Sequence, residues 1–256
     1  MTMPSASDLL LPLAMAVAAG LVGSYAVMRR MTLASDAISH VALPGVGIAI
    51  LLNVNPVLGA LAALILGTLL IWAVERQARI PTEAIIGVVF SAALAVGSML
   101  ASGEELLDAL FGAPRAMSGM EVVLGLAAAL LVIGFLVRAR SRLVIALVSP
   151  DLARTTGINV SRIDLLFLLS FALTVALGLR FLGVLLMGSL IIIPAATAKQ
   201  VAGSLRGMQA TSVAIAVVAT VAGTLIAPSI HRETGPVVII IAALGFFASL
   251  MVRRER

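Results

Sequence analysis

Residues 119–142 read GMEVVLGLAAALLVIGFLVRARSR. After Glu121 no charge interrupts the run until Arg138, and Arg140 and Arg142 follow at once. An α-helix needs about 20 apolar residues to cross the hydrocarbon core of a bilayer. Basic residues massed at one end mark the side that stays in the cytoplasm. The stretch reads as one membrane span, and the fold depends on how often that pattern recurs.

It recurs along the whole chain. The apolar runs are 9–28, 35–52, 56–74, 83–101, 119–137, 163–179, 181–198, 208–228 and 235–252. Nine spans of about 20 residues occupy roughly 180 positions of a chain of 256 residues. Too little is left for a separate soluble domain. The expected fold is an all-α polytopic membrane protein of about nine transmembrane helices, with 1–256 as a single transmembrane domain. The tight junction at Gly178, Leu179 and Arg180 leaves eight spans as the alternative. Composition agrees: 61% of residues are hydrophobic and 11% charged, against about 45–50% and 25% in soluble domains. A mean hydropathy of +1.18 excludes an ordinary soluble enzyme and a disordered chain.

The formal net charge is +5 and the sequence pI about 11.2. Topology accounts for this excess. With nine spans and the N-terminus outside, all the lysine and arginine except Arg115, Arg180 and Arg232 falls inside. That is the positive-inside pattern, and it puts the C-terminus in the cytoplasm. No basic segment precedes the first run, whose first charge is Asp8, so 9–28 reads as a span and not as a secretory signal. Aromatics are only 4%, too few for the stacking surface of a single-strand binder, and no nucleic-acid partner is expected.

Some chemistry is excluded outright. The chain has no cysteine, so a metal site must use oxygen and imidazole nitrogen, which suits zinc or manganese better than Cu(I). The single lysine, Lys199, precedes Gln200. No phosphate-binding G-x-x-x-x-G-K-[ST] loop exists, and ATP hydrolysis would need another chain. No nucleophile–base motif is present, so an enzyme is not expected.

Most strong polar groups, Glu83, Glu121, Asp164 and Arg180, stand at run ends, where water and headgroups solvate them. Asp36 and His40 differ. They open the second run in SDAISHVALPG, residues 35–45. A spacing of four puts both on one helix face. An aspartate at mid-bilayer costs about 2.5–3.5 kcal/mol. One carboxylate and one imidazole are half of a four-ligand cation site. A hydrogen-bonded clasp between helices is the alternative reading of the same pair. Pro44-Gly45 and Pro194 are expected to interrupt their helices, freeing carbonyls toward a path.

Two further stretches carry information. In SPDLARTTG, residues 149–157, Ser149 suits a helix cap and Pro150 the first helical position. Asp151 suits the positive end of the dipole, and Gly157 suits the closing turn. A helix of about two turns is expected on the cytoplasmic side, over about 149–158. GVLLMGSLIIIPAATAK, residues 183–199, carries small residues that permit close helix approach. His231, the other histidine, falls at an outer run end.

At these residues the chain resembles the membrane permease subunits of zinc- and manganese-type metal ABC importers. SDAISHVALPG is similar to that family's GDALSHAxLPG segment, SPDLARTTGI to its DxExAxxxGI segment, and LGVLLMGSLIIIPAATA to its GxLLxxxLLIIPAATA stretch. Ser35 departs from the usual glycine, and His231 from an aromatic common near that position. The resemblance implies a bacterial cytoplasmic-membrane permease with Asp36 and His40 as metal residues in the path. It implies a coupling helix over Asp151–Gly157, with Asp151, Leu152, Ala153 and Gly157 engaging an ATPase. The implied partners are a pair of cytoplasmic ATPases, an extracytoplasmic metal-binding protein and a second permease copy, with membrane lipid around them. The implied cargo is zinc or manganese, with iron as a further candidate, and no cofactor stays bound. A metal-chelate or cobalamin-type permease and a proton-coupled secondary transporter are the competing readings.

Overall fold

The computed structural model describes residues 6–31, 37–78, 80–100, 119–179 and 182–253. Among them there is no strand. The helices are α1 (Ala6–Met28), α2 (Ala42–Leu51), α3 (Pro56–Gln77), α4 (Thr82–Leu100), α5 (Gly119–Arg138), α6 (Arg140–Val148), α7 (Pro150–Thr155), α8 (Val160–Gly178), α9 (Val184–Val201), α10 (Leu205–Ile226) and α11 (Thr234–Arg253). A 3-10 turn, Ala227–Ile230, extends α10.

Seven of the described helices are long and apolar enough to cross a membrane, and the apolar stretches Ala37–Leu51 and Leu186–Val201 are shorter. The helix starts follow from sequence. Asn55, Asn159 and Ser204 accept backbone N–H groups of Val57, Arg162 and Gly207 through their side chains. Each satisfies a donor that the first helical turn leaves without an intrahelical partner.

Burial separates the helices. In α1, 67% of the span is buried, and in α5 only 17%. So α1 is the central helix, packed against α5, α8, α9 and α10, whereas α5 turns most of its apolar surface outward, as lipid contact permits. Small residues set the spacing around α1. A Cβ on Gly23 would overlap the Ile191 carbonyl of α9, and one on Gly20 would press on the Val213 backbone of α10. The hydroxyls of Ser24 and Ser212 both donate to the Gly20 carbonyl at 2.8 Å. Packing and interhelical hydrogen bonds thus replace the hydrophobic drive that lipid removes.

The helices α2, α3 and α4 form a second group, with α3 joined to the rest through α8. The hairpin of α2 and α3 has its own glycine contacts. Gly45 lies against the Gly59 carbonyl and Ala63, Gly59 against the Gly45 carbonyl and Ala49, and Gly67 against Val41.

Two sequence expectations are modified. The helix break expected at Pro44-Gly45 lies earlier, at Val41, between the helical turn 37–40 and α2. Pro44 has no N–H to donate to the carbonyl four residues back, at His40, so the ladder is interrupted there and not at the proline. At Pro194 no break forms, and α9 runs through it. After Arg138 the chain continues through α6 into α7.

Candidate metal path and coupling segment

His40 is 8% exposed. Its ring meets Phe90 of α4 edge-on, with centroids 5.3 Å apart and planes inclined at 60°. Phe90 is the ninth residue of a 19-residue helix. Val41, the next residue, lies on Gly67, near the middle of α3. His40 therefore sits halfway along its neighbours, in the helical turn just before α2. Leu43 and Pro44 face Gly97, one to two turns further along α4. From His40 onward, α2 covers only one half of the bundle's depth.

Asp36 lies outside the described residues, so its distance from His40 is not defined. Among the described residues no three His, Asp or Glu side chains come together to hold a metal. Ser39 is buried beside His40 in sequence, and Thr68 is buried on α3 next to Gly67, its hydroxyl without a hydrogen-bond partner among the described residues. Sequence reasoning singled out neither of them, nor Phe90. A hydroxyl or a phenyl ring in an apolar run carries no local mark, and only the α2–α3 register brings them to this depth.

The second element is built by caps. The Ser149 side chain accepts the Leu152 N–H at 3.3 Å, with Pro150 in the first turn. At the other end, the Gly157 N–H donates to the Arg154 carbonyl and the Ile158 N–H to the Ala153 carbonyl. Gly157 has φ +79°, a left-handed conformation that glycine adopts without a Cβ penalty. Asp151 pairs with Arg154 at 3.2 Å in the open. Asp151 and Leu152 point outward, with Leu152 56% exposed. Ala153 is turned inward and 0% exposed. Leu152 and Asp151 can touch another chain; Ala153 seats the segment against its own bundle.

A further anchor lies nearby. Arg29, at the end of α1, pairs with Asp164 of α8 at 2.6 Å and stacks over Phe167 with 4.6 Å to the ring centroid. Sequence alone left Asp164 to water and headgroups. The structure gives it a partner 135 residues away, which fixes α1 to the start of α8. His231 is exposed at the end of the 3-10 turn with φ +51°. Arg180 and the loop 102–118 lie outside the described residues.

The model of the ABC 3 transport family matches residues 5–253. A zinc uptake system membrane protein of Haemophilus influenzae, ZnuB, is 30% identical over 241 residues, 92% of each chain. The manganese import permease ScaB of Streptococcus gordonii is 30% identical over 240 residues, 92% of this chain and 86% of its own. Among solved structures, PsaBC of Streptococcus pneumoniae in complex with Fab superposes with a TM-score of 0.81 at 27% identity, covering 94% of this chain and 88% of the other. An inward-facing putative metal-chelate type ABC transporter shares the fold, with a TM-score of 0.70 at 18% identity over 94% and 84% of the two chains.

Proposed function

The chain belongs to the ABC 3 transport family, and from that membership we propose that it is the permease subunit of an importer that moves zinc or manganese ions across the bacterial cytoplasmic membrane. It is a multi-pass transport subunit and not an enzyme. ATP hydrolysis comes from a separate pair of cytoplasmic ATPase chains, and an extracytoplasmic metal-binding protein delivers the ion. A second copy of the permease completes the path. The metal is cargo, and no cofactor stays bound.

The observation that carries this reading is His40, a metal-ligand type, buried at mid-depth where the helix is interrupted. Asp36, four residues earlier in the sequence, supplies the charge. Two facing copies contribute two carboxylates and two imidazoles, enough negative charge to offset a dication in a low-dielectric path. The site binds transiently, since the ion must leave it.

The topology that goes with this reading has nine crossings, with the N-terminus outside and the C-terminus in the cytoplasm. The arginine distribution supports it. The whole of 1–256 forms one transmembrane domain. The segment 149–158 is the coupling helix, with Asp151 and Leu152 on the outward side, Ala153 seating it and Gly157 closing it.

The test is uptake of radiolabelled zinc and manganese by vesicles holding the assembled importer. Asp36→Asn with His40→Ala should lower uptake at least about ten-fold, the lower range for disturbing a metal site, with assembly intact. Near-normal uptake by that double variant would reduce the pair to a structural clasp.

A further inference from the structure

The coupling segment and the His40 hairpin are some distance apart in the chain; α3 packs on α8, which follows the segment, and one side chain hydrogen-bonds across that contact. Trp72 lies five residues beyond Gly67 on α3, about 7.5 Å further along the helix axis. Its indole N–H donates to the Ser161 carbonyl at 3.1 Å. Ser161 is in the first turn of α8, directly after the coupling segment. Resting on the metal and coupling roles proposed above, we propose that Trp72 is a positioning residue that ties the displacement of α7 to the hairpin carrying His40.

On the α7 side there is little slack. The Ile158 N–H returns to the Ala153 carbonyl at 2.9 Å, and Asn159 then caps α8 through the Arg162 N–H at 3.0 Å. Each residue from 149 to 162 is thus held within a cap or a turn, so a push on α7 reaches the Ser161 carbonyl. On the hairpin side slack is small too. The Gly45–Gly59 and Val41–Gly67 contacts bring the two backbones together, and close-packed helices shift as units and do not deform gradually. A pull on Trp72 therefore moves α2 with α3, and His40 with α2.

α3 packs on α8, and Trp72 adds a directional hydrogen bond where that contact meets the first turn of α8. Beside it lies a cavity of about 560 Å³, lined by Trp72, Glu75, Arg76, Arg154 and Asp164 among others. Its lining carries charges of both signs, and its open volume leaves the side chains around Trp72 room to move. Arg76 lies over the indole with 4.8 Å to the centroid, which keeps the ring turned toward Ser161. Glu75 accepts the Thr82 hydroxyl at 2.5 Å, bracing the end of α3 against α4. Trp72 is the chain's single tryptophan; other apolar residues would pack here, and none would donate this hydrogen bond.

The experiment measures ions taken up per ATP hydrolysed in vesicles containing the full importer. Trp72→Phe keeps a ring for Arg76 to cover and removes the donor. The ratio should fall about three- to ten-fold, the range of one net hydrogen bond, because hydrolysis continues while the hairpin no longer follows. A merely structural role would lower uptake and hydrolysis together and leave the ratio unchanged. The ratio is independent of how much complex assembles, so partial misfolding does not obscure it. An unchanged ratio overturns the proposal. Leu152→Arg in the same vesicles separates it from the reading beneath. Loss of stimulated hydrolysis there, beside a normal ratio in Trp72→Phe, sinks the link alone. Normal stimulated hydrolysis in Leu152→Arg sinks the coupling role of α7, and the link with it.

Discussion

The proposed coupling segment and the His40 hairpin are both short elements flanked by polar residues, and they are held in opposite ways. α7 is held by its own neighbours in sequence: Ser149 and Pro150 at one end, Gly157 at the other. The turn at 37–40 and α2 are held by contacts with α3 and α4, above all where Gly45 meets Gly59. A segment held by caps tolerates change in its packing and fails when a cap is lost. A segment held by backbone contact tolerates change in its caps and fails when a Cβ is added. The first arrangement suits a piece that must yield to a partner. The second suits a piece that must present a ligand at a fixed depth.

The sharpest break in that comparison is Gly45→Val. The added side chain would occupy the space of the Gly59 carbonyl and the Ala63 methyl, and neither backbone can withdraw without separating the hairpin. We expect a loss of about 3 kcal/mol, the upper part of the usual overpacking range, read as a large fall in the detergent melting temperature with loss of uptake. A melting temperature equal to that of the unsubstituted protein would mean that the hairpin is not held by this contact. The corresponding change in α7, at exposed Leu152, leaves the fold alone. Leu152→Arg puts a charge where an apolar contact with the ATPase is proposed, and stimulated hydrolysis should fall about ten-fold, as for loss of an interface hot spot. Melting should stay within about 1 °C of the unsubstituted permease, since surface substitutions seldom matter to stability.

The same contrast explains what could be read from the sequence. The apolar runs were legible because a membrane span needs an uninterrupted stretch, and each described helix long enough to cross coincides with one of those runs. α7 was legible because caps are local chemistry: Ser149, Pro150 and Gly157 each sit where their residue type is favoured. The inward turn of Ala153 was not, because six helical residues give no amphipathic period to read. α6 was hidden because its arginines resemble a polar loop. The break at Val41 was misplaced by three residues, since proline acts on the carbonyl four positions before it. The depth of His40 and the bridges from Arg29 to Asp164 and from Trp72 to Ser161 depend on helix register across long separations. No window along a single sequence holds both partners of such a contact. Asp36 shares a face with His40 by spacing, and its position lies outside the described residues.

The smallest effect tests the caps themselves. In Ser149→Ala the Leu152 N–H loses its side-chain acceptor, while Pro150 still presets the first turn and needs no partner for an N–H it lacks. The far end keeps both of its closing bonds, from Gly157 to Arg154 and from Ile158 to Ala153, and Ala153 stays buried against the bundle. The substitution should therefore cost about 1 kcal/mol of local stability without unfolding the helix. That amount corresponds to roughly a five-fold loss of hydrogen-exchange protection at the Leu152 amide, with little change at the amides of α2. Stimulated hydrolysis should drop less than in Leu152→Arg, because the contact surface remains and only its population falls. Protection at Leu152 that stays unchanged would show that packing of Ala153, and not the cap, holds α7. The segment would then be built like the hairpin, and the difference between the two elements would disappear.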